Sequence, residues 1–155
     1  MTLIHVNGDL IKSDCTTIAH QANCMSTMGS GIAKTIAEIY PKAKKVDKES
    51  IMSKEERFGK FTHAVNPNGV TVVNLYGQFA YGRNGVFTKY DKVESALDSF
   101  FENAISGKLK DVNIEKFGVP FKMGCDRAGG DWSKVEEILE KMSSKYNVDI
   151  YIYKL

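Results

Sequence analysis

Short apolar runs alternate along this chain with segments whose apolar residues recur at helical spacing. Strands that alternate with helices are typical of an α/β sandwich, in which ligands bind beyond the carboxyl ends of the strands. The sequence therefore predicts an α/β fold and directs attention to the loops that follow the strands. Six runs rich in β-branched and aromatic residues predict strands at Leu3–Val6, Thr17–Gln21, Phe61–Ala64, Val70–Leu75, Lys116–Val119 and Asp149–Tyr153.

Apolar stripes at helical spacing predict four helices between these strands. The stripe from Ile32 to Tyr40 predicts a helix that ends before Pro41, because proline disfavours a helical conformation in the residue ahead of it. Ser133 and Glu136 are spaced for a capping box at the start of the last helix. That last helix is predicted along Val135–Met142. The two remaining helices are predicted over Val46–Arg57 before Gly59 and along Val93–Ala104 before Gly107.

Length and composition limit the class of protein. With 155 residues, of which 43% are hydrophobic, residues 1–155 fit one domain with a sizeable core. The sequence shows neither a membrane-spanning run nor the pattern of a signal peptide, so we expect a soluble, cytoplasmic protein. Three cysteines at unrelated spacings argue against disulfides and against a zinc site, and we expect neither a metal nor a cofactor. A net charge of +2 does not indicate a nucleic-acid surface.

Three loops at the ends of predicted strands carry the residues best suited to bind a ligand. The loop after Gln21 contains Gly29 and Gly31, which bring backbone amides to a helix start, where an anion is favoured. The loop after Val119 repeats this arrangement, so the two loops could hold a pyrophosphate between them. The loop after Leu75 is aromatic and polar and could stack on a ribose or a base. For each loop an ordinary turn remains the alternative.

Several single side chains, in these loops and in the first two predicted strands or directly after them, have both a functional and a structural interpretation. Asp9 could accept a hydrogen bond from an adenine amino group or could form a turn. His20 could transfer a proton, although a histidine in a strand is more often a hydrogen-bonded core residue. Asp131 more often opens a helix than acts in chemistry. Arg127 could supply a positive charge or pair with Asp126.

Four segments are informative together through their order and spacing, and they span nearly the whole chain. They are Val6–Leu10, Ala19–Asn23, Met28–Ala33 and Met123–Trp132. In combination they resemble the macro domain family, and most closely the branch that contains ADP-ribose-1''-phosphate phosphatases and terminal ADP-ribose protein glycohydrolases. The resemblance implies a three-layer α/β/α sandwich with a mixed, mostly parallel central sheet, and ADP-ribose lying across the strand ends.

The resemblance also implies which residues bind the ligand. Asp9 and Leu10 match the positions that contact adenine, and Asn23 matches the asparagine beside the distal ribose. Asn74 and Gln78 belong to the expected binding set at the end of the middle strand. Backbone amides are expected to provide most of the phosphate contacts. The two phosphate loops match Met28, Gly29, Ser30, Gly31 and Ile32 in the first, and Gly124, Cys125, Asp126, Arg127 and Ala128 in the second.

The activity expected from the resemblance is hydrolysis of an ADP-ribose derivative. We also expect a monomer, and the hydropathy and the dispersed charges predict binding to neither membrane nor nucleic acid. The leading expectation is removal of the 1''-phosphate from ADP-ribose-1''-phosphate, with Asn23 orienting the distal group and Asp131 or His20 aiding proton transfer. The alternatives are an ADP-ribosyl glycohydrolase acting on protein or nucleic acid, and a non-catalytic ADP-ribose-binding module. A lysine-dependent glycohydrolase is disfavoured, because residues 74–78 contain no lysine and Ala128 stands where that branch has an aspartate.

Overall fold

The fold is organised around one mixed sheet of six strands, seen in a computed structural model that describes residues 2–29, 31–82, 85–125 and 128–155. The strands are β1 Leu3–Asn7, β2 Thr17–Asn23, β3 Phe61–Val65, β4 Thr71–Gln78, β5 Phe117–Pro120 and β6 Ile150–Lys154. They lie in the order β1-β6-β5-β2-β4-β3, and only the β3–β4 pair is antiparallel. The predicted mixed, mostly parallel sheet is confirmed.

The described helices are α1 Gly31–Ile39, α2 Pro41–Lys48, α3 Lys54–Arg57, α4 Tyr90–Ile105 and α5 Trp132–Tyr146, with a short 3-10 turn at Leu10–Lys12. The prediction of one helix over Val46–Arg57 is wrong, because α2 ends at Lys48 and α3 begins only at Lys54. α1 ends before Pro41, as predicted. Pro41 also lies in the first turn of α2, where a backbone N–H would have no hydrogen-bond partner within the helix, so the proline causes no loss of a bond.

The capping box predicted at Ser133 and Glu136 is also wrong. Asp131 caps α5 instead: its Oδ1 accepts hydrogen bonds from the backbone N–H of Ser133 at 3.0 Å and from the Ser133 hydroxyl at 2.8 Å. The same Ser-x-x-Glu pattern does form a box at α3. There Ser53 Oγ accepts from Glu56 N–H at 3.1 Å, and Glu56 Oε1 accepts from Ser53 N–H at 3.2 Å.

Helices pack on both faces of the sheet, which gives three layers. Successive residues of a strand point to opposite faces, so β2 contributes Ile18 to one face and Ala19 to the other. Ile18 packs in a cluster with Ile36 of α1, whereas Ala19 belongs to a cluster with Phe100 of α4 and Leu139 of α5. Among the described residues, no helix is long and apolar enough to cross a membrane.

Candidate functional site

A cavity of about 450 Å³ lies at the carboxyl ends of β2, β4 and β5. All three loops that the sequence singled out contribute to its wall, through residues 21–23, through residues 78, 81 and 82, and through residues 120–124. The start of α1 closes a further side. The volume falls within the range of small-molecule binding sites, about 300–1,000 Å³. The parallel sheet therefore places the three loops around one space large enough for a nucleotide-sized ligand.

The first turn of α1 lies at the wall of this cavity. Gly31, Ile32 and Ala33 all line it. The first N–H groups of a helix have no intrahelical partner, and the helix dipole places partial positive charge there. An anionic group in the cavity would therefore meet hydrogen-bond donors and a favourable potential without any charged side chain at this wall.

Asn23 at the end of β2 supports the loop that leads to α1. Its Nδ2 donates to the carbonyl oxygen of Thr27 at 2.8 Å, and its Oδ1 accepts from the backbone N–H of Met25 at 2.9 Å. Asn23 and Thr27 both line the cavity. The asparagine thus shapes the cavity wall, and its other Nδ2 hydrogen is the one that remains for a ligand.

A buried ion pair fixes the same loop from the other side. Arg57 donates to the hydroxyl of Ser26 at 2.5 Å and lies 3.7 Å from Asp47 Oδ1, which also accepts from the Tyr76 hydroxyl at 2.6 Å. Burial raises the pKa of Asp47, an effect that outweighs the hydrogen bond from Tyr76 and the charge of Arg57. Ser26 has a left-handed φ of 57°, which few non-glycine residues adopt. The ion pair therefore holds a strained residue beside the cavity.

Gln21 connects the ends of two strands to the second glycine loop, residues 121–130. Its Nε2 donates to Gln78 Oε1 at 2.9 Å and to Thr88 Oγ1 at 2.8 Å. The Thr88 hydroxyl in turn donates to the carbonyl oxygen of Gly124 at 2.6 Å. Gly124 has φ of 75°, which strains any other residue, and a Cβ at this residue would lie 2.5 Å from Gln21 Oε1 and displace the Gln21 amide.

Aromatic side chains form the remaining wall and the rim. Phe121 lines the cavity, and the ring of Trp132 packs edge-on against it with a centroid distance of 5.1 Å. Tyr81 also lines the cavity, although 59% of its surface is exposed. Lys122 is the one charged residue among the described residues of the wall. The wall accordingly combines stacking surfaces with neutral hydrogen-bonding groups.

His20 and Asn74, both predicted at the site, are fully buried beside it and do not line the cavity. Asn74 Nδ2 donates to Ala43 O and to Thr62 Oγ1, so its Oδ1 is the acceptor for His20 Nε2 at 2.6 Å. Burial lowers the pKa of His20 to about 4, despite the hydrogen bond to Asn74. The structure therefore gives these residues a role in the interior, as a neutral imidazole held by an amide.

Asp131 and Cys125 also lie outside the cavity wall. Asp131 is the exposed cap of α5, and its bonds to Ser133 lower the pKa of its carboxyl, which makes it a poor proton donor. Burial raises the pKa of the Cys125 thiol to about 11, so this thiol is not activated as a nucleophile.

The predicted binding residues divide into three groups. Those that line the cavity are Asn23, Gly31, Ile32, Gln78, Gly124 and Ala128. The second group does not line the cavity. Asp9 follows β1 at the same edge of the sheet, where its Oδ1 accepts a hydrogen bond from Ile11 N–H at 3.0 Å. Leu10 and Met28 are buried in the core. Gly29 is likewise outside the wall. Ser30, Asp126 and Arg127 lie outside the described residues.

The residues that sequence reasoning missed are Gln21, Thr27, Phe121 and Lys122 in the wall, and Thr88 and Arg57 behind it. The strand-end position of Gln21 and Phe121 is a signal that could have identified these two. The others depend on contacts between distant segments. No cluster of three or more His, Cys, Asp or Glu suited to a metal ion occurs in the part of the chain that the structure describes.

Comparison with solved structures identifies the fold. The macrodomain of Mycobacterium tuberculosis DarG matches with a TM-score of 0.78 and 21% identity, over 97% of this chain and 96% of that one. The chain has a macrodomain fold. Thermosipho africanus DarTG in complex with ADP-ribose shares this macrodomain architecture with a TM-score of 0.81 and 22% identity, over 99% of this chain and 42% of that one.

Sequence comparison adds a relative without a described activity. An uncharacterised 17.5 kDa protein from the tk-vs intergenic region of Enterobacteria phage T4 is 28% identical over 156 residues, which cover 97% of this chain and 96% of the phage protein. No protein-family model matches the chain. The macrodomain assignment accordingly concerns the fold, and these comparisons assign no activity to the site.

Proposed function

We propose that this protein binds ADP-ribose or a derivative of it in the cavity at the strand ends. The observation that carries the proposal is the placement of the α1 N-terminus and the second glycine loop on the wall of one cavity, through Gly31, Gly124 and Ala128. Amides at these positions suit a diphosphate. The similarity to a DarTG structure that contains ADP-ribose supports the same ligand.

The orientation of the ligand follows from the chemistry of the two ends. In the proposed pose, the distal ribose lies near Asn23 and Thr27, which line the cavity beside α1. The adenine lies toward Asp9, whose second carboxylate oxygen can accept from the exocyclic amine while Oδ1 holds Ile11. Phe121 provides an apolar surface in the wall.

A hydrolytic activity is the second candidate, with removal of the 1''-phosphate from ADP-ribose-1''-phosphate as the reaction. The observation that favours it is that the α1 amides lie beside Asn23 and Thr27, so an anion held by the helix would adjoin two polar groups able to orient water. Among the described wall residues there is no carboxylate or imidazole. The strongest base near that water would then be a phosphate of the substrate itself. Hydrolysis of an ADP-ribosyl ester or glycoside would use the same end of the cavity.

Calorimetry tests the binding proposal directly. We expect saturable binding of ADP-ribose, and binding of AMP weaker by at least about tenfold, since AMP lacks the second phosphate and the distal ribose. The Asp9→Ala variant should lose affinity for ADP-ribose and lose the preference for adenine over hypoxanthine in the base. Absence of ADP-ribose binding by the wild-type protein would refute the proposal.

Phosphate release from ADP-ribose-1''-phosphate tests the hydrolytic proposal separately. Turnover that exceeds the rate without protein, and that ADP-ribose inhibits, is the expected result. Binding of ADP-ribose without turnover of this compound or of ADP-ribosylated protein would contradict the hydrolytic proposal and leave a binding module.

A further inference from the structure

A hydrogen-bonded relay connects the end of β4 to the second glycine loop through residues of the cavity wall and through Thr88 behind it. It passes from Gln78 Oε1 to Gln21 Nε2 at 2.9 Å, from Gln21 Nε2 to Thr88 Oγ1 at 2.8 Å, and from the Thr88 hydroxyl to the Gly124 carbonyl oxygen at 2.6 Å. Thr88 is only 2% exposed. We call these four residues the relay.

In each hydrogen bond of the relay, the chemistry of the groups decides which one donates and which one accepts. The Gln21 amide nitrogen can only donate, so the Thr88 oxygen accepts from it and its single proton goes to Gly124. A hydroxyl is the group that can do both at once. A side chain of the same shape without a hydroxyl would leave a buried donor on Gln21 and would remove one of the donors to Gly124.

Thr88 also holds the loop through its backbone segment. The N–H groups of Phe87 and Thr88 donate to the carbonyl oxygen of Ala128 at 2.7 and 3.3 Å. The Gly124 carbonyl accepts a further bond from Gly130 N–H at 2.9 Å. Gly124 and Ala128, which both line the cavity, are therefore both hydrogen-bonded to Thr88.

We propose that Thr88 is a positioning residue of the binding site: its hydroxyl sets the orientation of the Gly124 peptide and thereby the geometry of the loop that receives the diphosphate. The inference rests on the proposed function and names a residue that does not itself line the cavity. Without the Thr88 hydroxyl, the Gly124 carbonyl oxygen keeps only the bond from Gly130 N–H, so it is less firmly held away from the anion, and a carbonyl oxygen turned toward the anion opposes binding.

The test compares Thr88→Val, which keeps the shape and removes the hydroxyl, with Thr88→Ser, which keeps the hydroxyl. Thr17→Val is the matched control, because Thr17 is fully buried and its hydroxyl donates to Asn113 O at 2.5 Å at the opposite end of β2. Each variant is titrated with ADP-ribose by calorimetry and melted without ligand. Hydrogen exchange of residues 121–130 is measured on the ligand-free proteins.

We expect both valine variants to melt at lower temperature, but only Thr88→Val to bind ADP-ribose about tenfold more weakly. Thr88→Ser should bind within about twofold of the wild type. Wild-type affinity in Thr88→Val, or an equal loss in Thr17→Val, would overturn the inference. If Thr88→Val does not fold, Thr88→Ala replaces it, since the smaller side chain cannot introduce a clash.

Failure of the wild-type protein to bind ADP-ribose would count against the proposed function and not against the relay. Hydrogen exchange then decides: faster exchange in residues 121–130 of Thr88→Val, and not of Thr17→Val, supports positioning of the loop by Thr88. Unchanged exchange in both would refute it.

Discussion

Acidification is expected to destabilise the protein through His20. The imidazole is fully buried, donates through Nε2 to Asn74, and has no partner at Nδ1 among the described residues. Burial lowers its pKa from 6.5 to about 4. In the unfolded chain the ring protonates near its ordinary pKa, whereas in the folded protein it stays neutral until the pH approaches 4.

The sign of the effect follows from that difference. Between about pH 6.5 and pH 4 the unfolded state binds more protons, so the free energy of unfolding falls as the pH falls through this range. The loss attributable to His20 is roughly 2 kcal/mol between about pH 7 and pH 4.5, and about 3 kcal/mol in the limit of low pH. The raised pKa of Asp47 acts in the opposite direction, because its carboxyl protonates more readily when folded.

The His20→Gln variant separates the two contributions. Glutamine can donate to Asn74 Oδ1 but cannot titrate, so the variant keeps the hydrogen bond and the contribution of Asp47. The measurement is urea unfolding of both proteins, followed by far-ultraviolet circular dichroism at about pH 7, 5.5 and 4.5. Relative to wild type, the variant should gain roughly 2 kcal/mol over this range. A difference between the proteins that stays constant with pH would refute the account of His20.

Two further predictions concern the second glycine loop and the rim. Gly129→Ala should cost at least about 1 kcal/mol more unfolding free energy than Gly107→Ala: both residues have positive φ, but only at Gly129 would a Cβ meet a backbone atom, Gly85 O at 2.5 Å. Equal losses in urea unfolding would contradict this. Tyr81→Ala should weaken ADP-ribose binding in calorimetry several-fold, about 0.5–1.5 kcal/mol, with an unchanged melting temperature, because Tyr81 lines the cavity yet is largely exposed. A lower melting temperature with unchanged affinity would disprove it.

The sheet and most helices could be predicted from the sequence because their signals are local. The apolar pattern located every strand, but it ended β2 and β4 too early. Asn23 and Gln78 are polar, yet they pair with each other at the ends of these strands, after a shift of register between Ala22 and Asn23. The second helix was misplaced because Pro41 was interpreted only as a terminator, although the first turn of a helix accepts proline.

Side-chain roles at the site were harder to predict for two physical reasons. His20 and Gln21 are neighbours on a strand that is buried on both faces, so periodicity does not show which one faces the cavity. The structure shows that Gln21 does. Thr88 and Arg57 reach partners 67 and 31 residues away along the chain, and such contacts leave no local pattern. The loops could be located from one sequence, but the hydrogen bonds that shape them could not.

The edge-on contact between Phe121 and Trp132 gives the protein an intrinsic optical reporter. Trp132 is the only tryptophan in the sequence, and its indole contacts the ring of Phe121, which lines the cavity. Any molecule that enters the cavity and displaces the phenyl ring alters the environment of the indole. Occupancy can therefore be followed by emission of the unlabelled chain, and candidate nucleotides can be ranked by competition in a single cuvette.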